Sequence, residues 1–265
     1  MNNNVLLIVE GSVYEQNLFG DIFSKYGFNT IVSKQKMDVD GVGQFEKFEY
    51  QLDKSNIVII QGPRNRIHDF LKLYDENEMS IEKAFSYSYA FFSGIFLIYD
   101  VDHNDCDDVE LMYKRFSDES TGMLLLSSPC IEVIADYDRN RSESRYSHLK
   151  EYKSDINKYY DGTTNDFIKN NFNELMLYFL EKNYKDFEET NIMEHPRLIV
   201  KSINSLNDRV NCKNDEESYV VYRYFSTVVY VAIAYANGLT REIDNYENVY
   251  SFFKGKQTAD NTIKV

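Results

Sequence analysis

Short, fully apolar runs recur along the first half of the chain, and each ends in a small, polar or acidic residue. The clearest runs are residues 5–9, 57–60, 95–99 and 123–126. Apolar runs of four or five residues bounded by turn signals are typical of strands buried on both faces of a parallel sheet. We therefore predict that these four segments form the centre of a sheet.

Helical patterns separate the predicted strands. After the first strand, apolar residues recur at helical spacing from Leu18 to Tyr26, and Gly27 supplies a stop signal. Ser12 and Glu15 have the spacing of a capping box at the start of this helix. Further helical patterns cover 65–76, 80–92, 108–116 and 130–135. The alternation predicts an α/β fold with a mostly parallel, Rossmann-like sheet. Residues 34–53 are polar and contain two glycines, so we expect a loop there with at most an edge strand.

The pattern changes near residue 140, where a polar and basic stretch begins. Beyond that stretch, helical periodicity is predicted over 164–183, 194–208, 216–237 and 241–253. We therefore expect an α/β domain over 1–140, followed by a smaller, mainly helical domain over 141–265 that binds substrate or a partner.

The acidic residues are concentrated in the first predicted domain. The whole chain has a net charge of −14, and residues 1–140 carry 24 acidic against 12 basic residues. Such a charge disfavours holding nucleic acid by bulk electrostatics alone. A local site that collects metal ions or basic partners remains compatible with it.

Other sequence signals indicate a protein of a reducing compartment that does not span a membrane. The three cysteines are scattered and form no paired motif, so neither a disulfide framework nor a structural zinc site is indicated. The start of the chain lacks the basic region of a signal peptide. The apolar stretch at 220–236 is interrupted by Arg223, which favours a buried helix over a membrane span. We therefore expect a cytoplasmic protein.

Four acidic residues follow the predicted strands. Glu10 ends the first strand, Asp100 and Asp102 end the third, and Glu132 lies in the helix after the fourth. Ligands of parallel α/β sheets bind beyond the carboxyl ends of the strands. Carboxylates placed together there repel each other unless a cation lies between them, and Mg²⁺ or Mn²⁺ prefers oxygen ligands. We predict that these four residues hold a divalent metal ion.

The order of these motifs resembles that of the Toprim fold found in topoisomerases, primases and OLD-type nucleases. In that family the glutamate after the first strand is a metal ligand or general acid/base, and the Asp-x-Asp motif binds Mg²⁺. The matching positions here are Glu10, Asp100 and Asp102. The Glu-Gly pair at 10–11 and the Ser-Pro-Cys-Ile-Glu stretch at 128–132 are similar to motifs of the RloB-like family. That family typically has Asn in place of the Ser and Phe in place of the Ile.

This resemblance covers about residues 1–140 and implies a nuclease. It implies cleavage of phosphodiester bonds in RNA, tRNA or DNA, with Glu10, Asp100 and Asp102 as catalytic residues. RloB-like proteins are associated with abortive infection and antiviral defence, often beside an ATPase. The chain has no Walker A motif, so an ATPase activity would belong to a partner protein. The sequence leaves the oligomeric state open, including a homo-oligomer.

Further residues are candidates for secondary roles. Glu15, His103 and Asp105 are additional candidates for the metal site, although a helix cap or solvated loop explains each of them. A basic set could contact phosphates: Arg139, Arg141, Arg145, Lys150 and Lys153. The same stretch is equally typical of a solvated linker. Cys130 is interpreted as part of the core, because no histidine partner can be assigned to it.

Two other functional classes fit the same residues. The acidic edge could dock a basic partner without chemistry, as an interaction subunit of a defence complex, and salt would then weaken the complex. Alternatively, the metal site could act on a nucleotide, as a phosphohydrolase or a sensor.

Overall fold

The structure is a computed structural model. It describes residues 4–10, 13–39, 41–63, 66–67, 69, 87, 91–100, 112, 117–118, 122–128, 130–136, 143–146, 149–182, 220–223, 225–226 and 250–255. The statements below concern those residues.

A mixed sheet of eight described strands forms the centre of the fold. The strands of the chain are β1 (Val5–Glu10), β2 (Asn29–Val39), β3 (Gly43–Leu52), β4 (Ser55–Gly62), β5 (Gly94–Asp100), β6 (Ser117–Asp118), β7 (Gly122–Ser128), β8 (Glu143–Tyr146), β9 (Val220–Arg223) and β10 (Phe225–Ser226). The order across the main sheet is β10-β7-β5-β1-β4-β3-β2, and β6 also pairs with β7. Strands β8 and β9 form a separate antiparallel pair.

The four strands predicted from apolar runs form the parallel centre of this sheet. Strand β1 pairs in parallel with β4 and with β5, and β5 pairs in parallel with β7. Antiparallel strands extend the sheet on both sides. Where the burial of these strands is described, residues 5–9, 57–62, 94–99, 124–125 and 127 are buried, as expected for strands covered on both faces. The predicted α/β character is therefore confirmed.

Helices α1 (Val13–Lys25), α2 (Val133–Asp136), α3 (Leu149–Tyr159) and α4 (Thr164–Lys182) pack on one face of the sheet, as do the helical residues 250–255. Residues 66–67, 69 and 112 are also helical. Helix α1 ends as predicted, because Gly27 adopts a φ of 90° that side chains other than glycine rarely tolerate. None of the described helices combines the length and apolar content that crossing a membrane requires.

A single hydrophobic cluster joins the sheet to these helices. Alternate residues of the central strands belong to it, including Val5 and Val9 of β1 and Phe96 and Ile98 of β5. The same cluster contains Phe172 of α4. Residues on both sides of position 140 thus share one core. The division into two domains stays a prediction, although the described part after residue 140 contains strands as well as helices.

Two predictions of secondary structure were wrong. Residues 34–53, expected to be a loop with at most an edge strand, contain part of the edge strand β2 and also the inner strand β3, which was not predicted. Part of the helix expected over 216–237 is instead the strands β9 and β10. The first error arose because β3, like the mostly exposed edge strand β2, lacks an apolar run. The predicted helix over 194–208 lies outside the described residues.

Candidate metal centre

Two predicted site residues end neighbouring parallel strands at the same edge of the sheet. Asp100 is the last residue of β5 and lies opposite Ser127 of β7. Glu10 is the last residue of β1, which pairs with β5 on its other side. The parallel register aligns Val9 with Ile98, so Glu10 lies one residue short of Asp100 across the sheet. Glu10 and Asp100 therefore both lie at the carboxyl edge of the sheet, as the sequence predicts.

The pleat of the sheet separates these two acids by face. Val9 and Ile98 both belong to the core on the helix-covered face. Side chains alternate between the two faces along a strand. Asp100, two residues after Ile98, therefore points to the same face as Ile98. Glu10, one residue after Val9, points to the opposite face. Asp100 thus faces the helices.

A turn after β7 brings two more donor atoms to Asp100. Backbone N–H groups of Val133, Ile134 and Ala135 donate to the carbonyl groups of the residues three positions earlier, at 3.0–3.1 Å. This turn holds Cys130 and Glu132 against the sheet, and both are buried. One ligand atom each from Asp100, Cys130 and Glu132 lies within 4.8 Å of the other two. We call these three residues the acid–thiol cluster. It could hold a metal ion.

Helix α3 supplies the cation nearest to this cluster among the described residues. Lys153 Nζ lies 3.4 Å from Glu132 Oε1. The helix is fixed there by neighbouring hydrogen bonds, since the Tyr152 hydroxyl donates to buried Asp136 at 2.7 Å and the Tyr160 hydroxyl donates to the carbonyl of Ala135 at 2.7 Å. Lys153 is therefore positioned by contacts made on both sides of it.

The charges around Cys130 favour its neutral thiol. Burial raises the pKa of Cys130 well above its usual value, the negative charges of Glu132 and Asp100 raise it further, and Lys153 opposes them. A free thiolate is therefore disfavoured in this environment. A bound cation would reverse that preference, because a metal ion stabilises a coordinating thiolate.

The carboxylate of Glu132 is deeply buried and only partly neutralised. Its side chain is 5% exposed. Its Oε2 atom accepts no hydrogen bond from any part of the chain that the structure describes. An unsatisfied carboxylate oxygen in such a place is costly unless a proton donor or a cation approaches it. The local donor set therefore fits a cation.

The structure thus brings together Asp100 and Glu132 of the four predicted metal ligands. Glu10 lies at the same edge but outside the cluster of three. Asp102, His103 and Asp105 lie outside the described residues, as do Arg139 and Arg141. Glu15 is in α1 and Arg145 is in β8, and no side-chain position is described for either residue. Lys150 is exposed on α3.

Cys130 is the residue that sequence reasoning missed. Its assignment to the core was reasonable, since it is fully buried. The available signal was its spacing of two residues from Glu132 directly after a strand. That spacing becomes informative only when β7 is known to lie beside β5.

No protein-family model, curated protein or solved structure matches this chain.

Proposed function

We propose that this protein is a metal-dependent nuclease that cleaves phosphodiester bonds at the carboxyl edge of its sheet. The single observation that supports this proposal is the convergence of Asp100 and Glu132 beside the ends of parallel strands. Both acids are metal ligands predicted from the sequence pattern alone. The expected reaction is taken by analogy from the Toprim proteins that the sequence resembles.

Asp100 and Glu132 would hold Mg²⁺ or Mn²⁺, together with the predicted ligand Asp102. Glu10, whose side chain starts on the other face of the sheet, is left out of this ligand set. A bound ion of this kind polarises the phosphodiester and stabilises the leaving oxygen. These carboxylates would fix the position of the bound ion. Burial in the turn after β7 restricts the side chain of Glu132 to a conformation that faces the ion. Glu10, on the neighbouring strand, is the candidate for the general acid/base.

The surface beside the cluster suits a polyanionic substrate. Lys153 lies 3.4 Å from Glu132 and is 36% exposed, so its ammonium group borders both the cluster and solvent. Lys150 is exposed on the same helix one turn earlier. Such cations bind phosphate groups without reading sequence. We infer that α3 holds the backbone of the substrate.

The net charge of −14 bears on regulation. A chain this acidic binds free nucleic acid weakly, so delivery by a partner would raise its activity. We therefore extend the proposal to a toxic effector of a bacterial defence system that causes abortive infection under the control of a partner ATPase.

The test is cleavage by purified protein of RNA, tRNA, single-stranded DNA and duplex DNA, with Mg²⁺, Mn²⁺ or chelator. We expect cleavage with either metal and none with chelator. Asp100→Asn and Glu132→Gln should each reduce the rate by about 100-fold or more, since a catalytic metal contributes several kcal/mol and each 1.36 kcal/mol is a factor of ten. The matched control is Glu174→Gln, an exposed glutamate on α4.

Cleavage that persists in chelator, or at the normal rate in both variants, would overturn the proposal. Hydrolysis of nucleoside triphosphates without cleavage of any polymer would instead indicate the phosphohydrolase. Sequencing of RNA ends from cells that express the wild-type or the Asp100→Asn protein then identifies the substrate.

A further inference from the structure

The acid–thiol cluster contains a sulfur atom, which a magnesium site does not require. Two of its donors are carboxylate oxygens and the third is Sγ of Cys130. Mg²⁺ binds oxygen and leaves a thiol protonated, whereas Zn²⁺ and Co²⁺ also accept thiolate. The identity of the ion therefore decides whether Cys130 takes part.

The distances permit all three donors to bind one ion. Zinc takes oxygen and sulfur ligands at about 2.0–2.3 Å, so neighbouring donors of a tetrahedral ion lie roughly 3.5 Å apart. The three atoms here lie within 4.8 Å of one another, so closure needs movements of little more than about 1 Å. A water molecule or substrate oxygen would complete the coordination.

Burial supplies an independent reason to expect a ligand. Glu132 Oε2 accepts no hydrogen bond within the described part of the chain, and the Glu132 side chain is only 5% exposed. Lys153 approaches the other oxygen, Oε1, at 3.4 Å. The carboxylate thus has a second oxygen available for a cation.

The balance of charge differs between the two classes of ion. Loss of the thiol proton removes one positive charge from the site. With Mg²⁺ bound beside a neutral thiol, the site is therefore one unit more positive than with Zn²⁺ bound to the thiolate, whatever other acids take part. The more positive form attracts a phosphate group more strongly, and the zinc form attracts it less.

We infer that Cys130 is a third metal ligand and that the acid–thiol cluster binds a thiophilic divalent ion, such as Zn²⁺, in a form that inhibits the Mg²⁺-dependent reaction. The inhibitory part of this inference rests on the proposed nuclease function. When the ion binds, a bond forms between it and Sγ, and the thiol proton passes to solvent. No oxidant or reductant takes part.

The binding test uses Co²⁺ as a spectroscopic probe of the metal-free protein. A thiolate bound to Co²⁺ gives a charge-transfer absorption in the near ultraviolet that oxygen ligands do not give. The measurements use a protein with Cys106→Ser and Cys212→Ser, so that Cys130 is its single cysteine. We expect this protein to show the absorption, and Zn²⁺ to abolish it by competition.

The decisive variant adds Cys130→Ser to that background, with Cys130→Ala in parallel in case one of them folds poorly. Far-ultraviolet circular dichroism and thermal melting establish folding. We expect the absorption to disappear and Zn²⁺ binding, measured by calorimetry, to weaken roughly tenfold or more. Co²⁺ binding without the absorption, or unchanged Zn²⁺ affinity in a folded variant, overturns the assignment of Cys130.

The inhibition test compares Mg²⁺-dependent cleavage with increasing Zn²⁺, relative to the same protein without zinc. Zinc should inhibit the protein that retains Cys130 at a concentration roughly tenfold or more below the one that inhibits the Cys130→Ser protein. Equal inhibition of both overturns the inhibitory role. If no cleavage occurs under any condition, the proposed function fails, while the Co²⁺ spectra still decide whether Cys130 is a ligand.

Discussion

Two buried polar clusters of this molecule differ in how well their carboxylates are satisfied. On β3, Lys47 and Glu49 form an ion pair at 2.7 Å, and their side chains are only 7% and 12% exposed. The Tyr87 hydroxyl donates a second bond to Glu49 at 3.2 Å. Each charge in this pair therefore has a close partner of opposite sign or a hydrogen-bond donor.

In the acid–thiol cluster, Glu132 is less well satisfied. Lys153 lies 3.4 Å from its Oε1 atom and is more than one-third exposed, and its Oε2 atom accepts no hydrogen bond from the described residues. A buried carboxylate with close partners is typical of a structural contact, whereas an unsatisfied buried oxygen favours an external ligand. Satisfaction of the buried oxygens, rather than burial alone, therefore separates a structural cluster from a candidate binding site.

The largest effect on stability is expected from breaking the balanced pair. Lys47→Met leaves Glu49 buried without its cation, so we expect a loss of about 3–5 kcal/mol in the free energy of unfolding, measured by urea denaturation. The control is Lys34→Met, which breaks an ion pair of the same length, 2.7 Å, between side chains that are 46% and 28% exposed. This control should cost no more than about 1 kcal/mol. Similar losses in both variants would remove the distinction between buried and exposed pairs.

An intermediate effect is expected from filling the acid–thiol cluster. Mn²⁺ at 100 times its dissociation constant should stabilise the wild-type protein by about 2.7 kcal/mol relative to the chelated protein. Asp100→Asn should remove most of this gain, because one carboxylate ligand is lost, while Lys34→Met should keep it. The measurement is urea denaturation of each protein with Mn²⁺ and with chelator. An undiminished gain in the Asp100→Asn protein would place the metal elsewhere.

The smallest effect concerns pH. Because burial and the neighbouring acids raise the pKa of Cys130 in the folded state, the unfolded chain releases the thiol proton first as pH rises. Stability in chelator should therefore fall above about pH 8.5, by at most about 1.4 kcal/mol per pH unit, until the folded thiol also ionises. Cys130→Ala should remove this component. Stability curves of the two proteins that run parallel between about pH 8 and 10 would contradict it.

The central strands and the two acids of the candidate site were predictable from the sequence. Strands β1, β4, β5 and β7 are continuous apolar runs, which only a doubly covered sheet can bury. Asp100 was identified because it ends such a run, and Glu132 because it follows the next strand closely. Both positions depend on local pattern alone.

What depends on the pairing of distant segments was not predictable. The apolar stretch at 220–226 fits a buried helix or a strand equally well, and only its partners make it β9 and β10. The proximity of Cys130 to Asp100 likewise depends on β7 lying beside β5. The sheet face to which Glu10 points, relative to Asp100, depends on the register between β1 and β5, which neither strand specifies alone.

The pairing of β10 with β7 has a consequence for how the protein is made. Ser127 and Ser128 pair with residues about 100 positions later in the chain. At a synthesis rate of about 5–20 residues per second, that edge of β7 waits roughly 5–20 seconds for its partner to emerge from the ribosome. The unpaired edge ends two residues before Cys130. All three residues of the acid–thiol cluster therefore leave the ribosome well before the strand that pairs beside them.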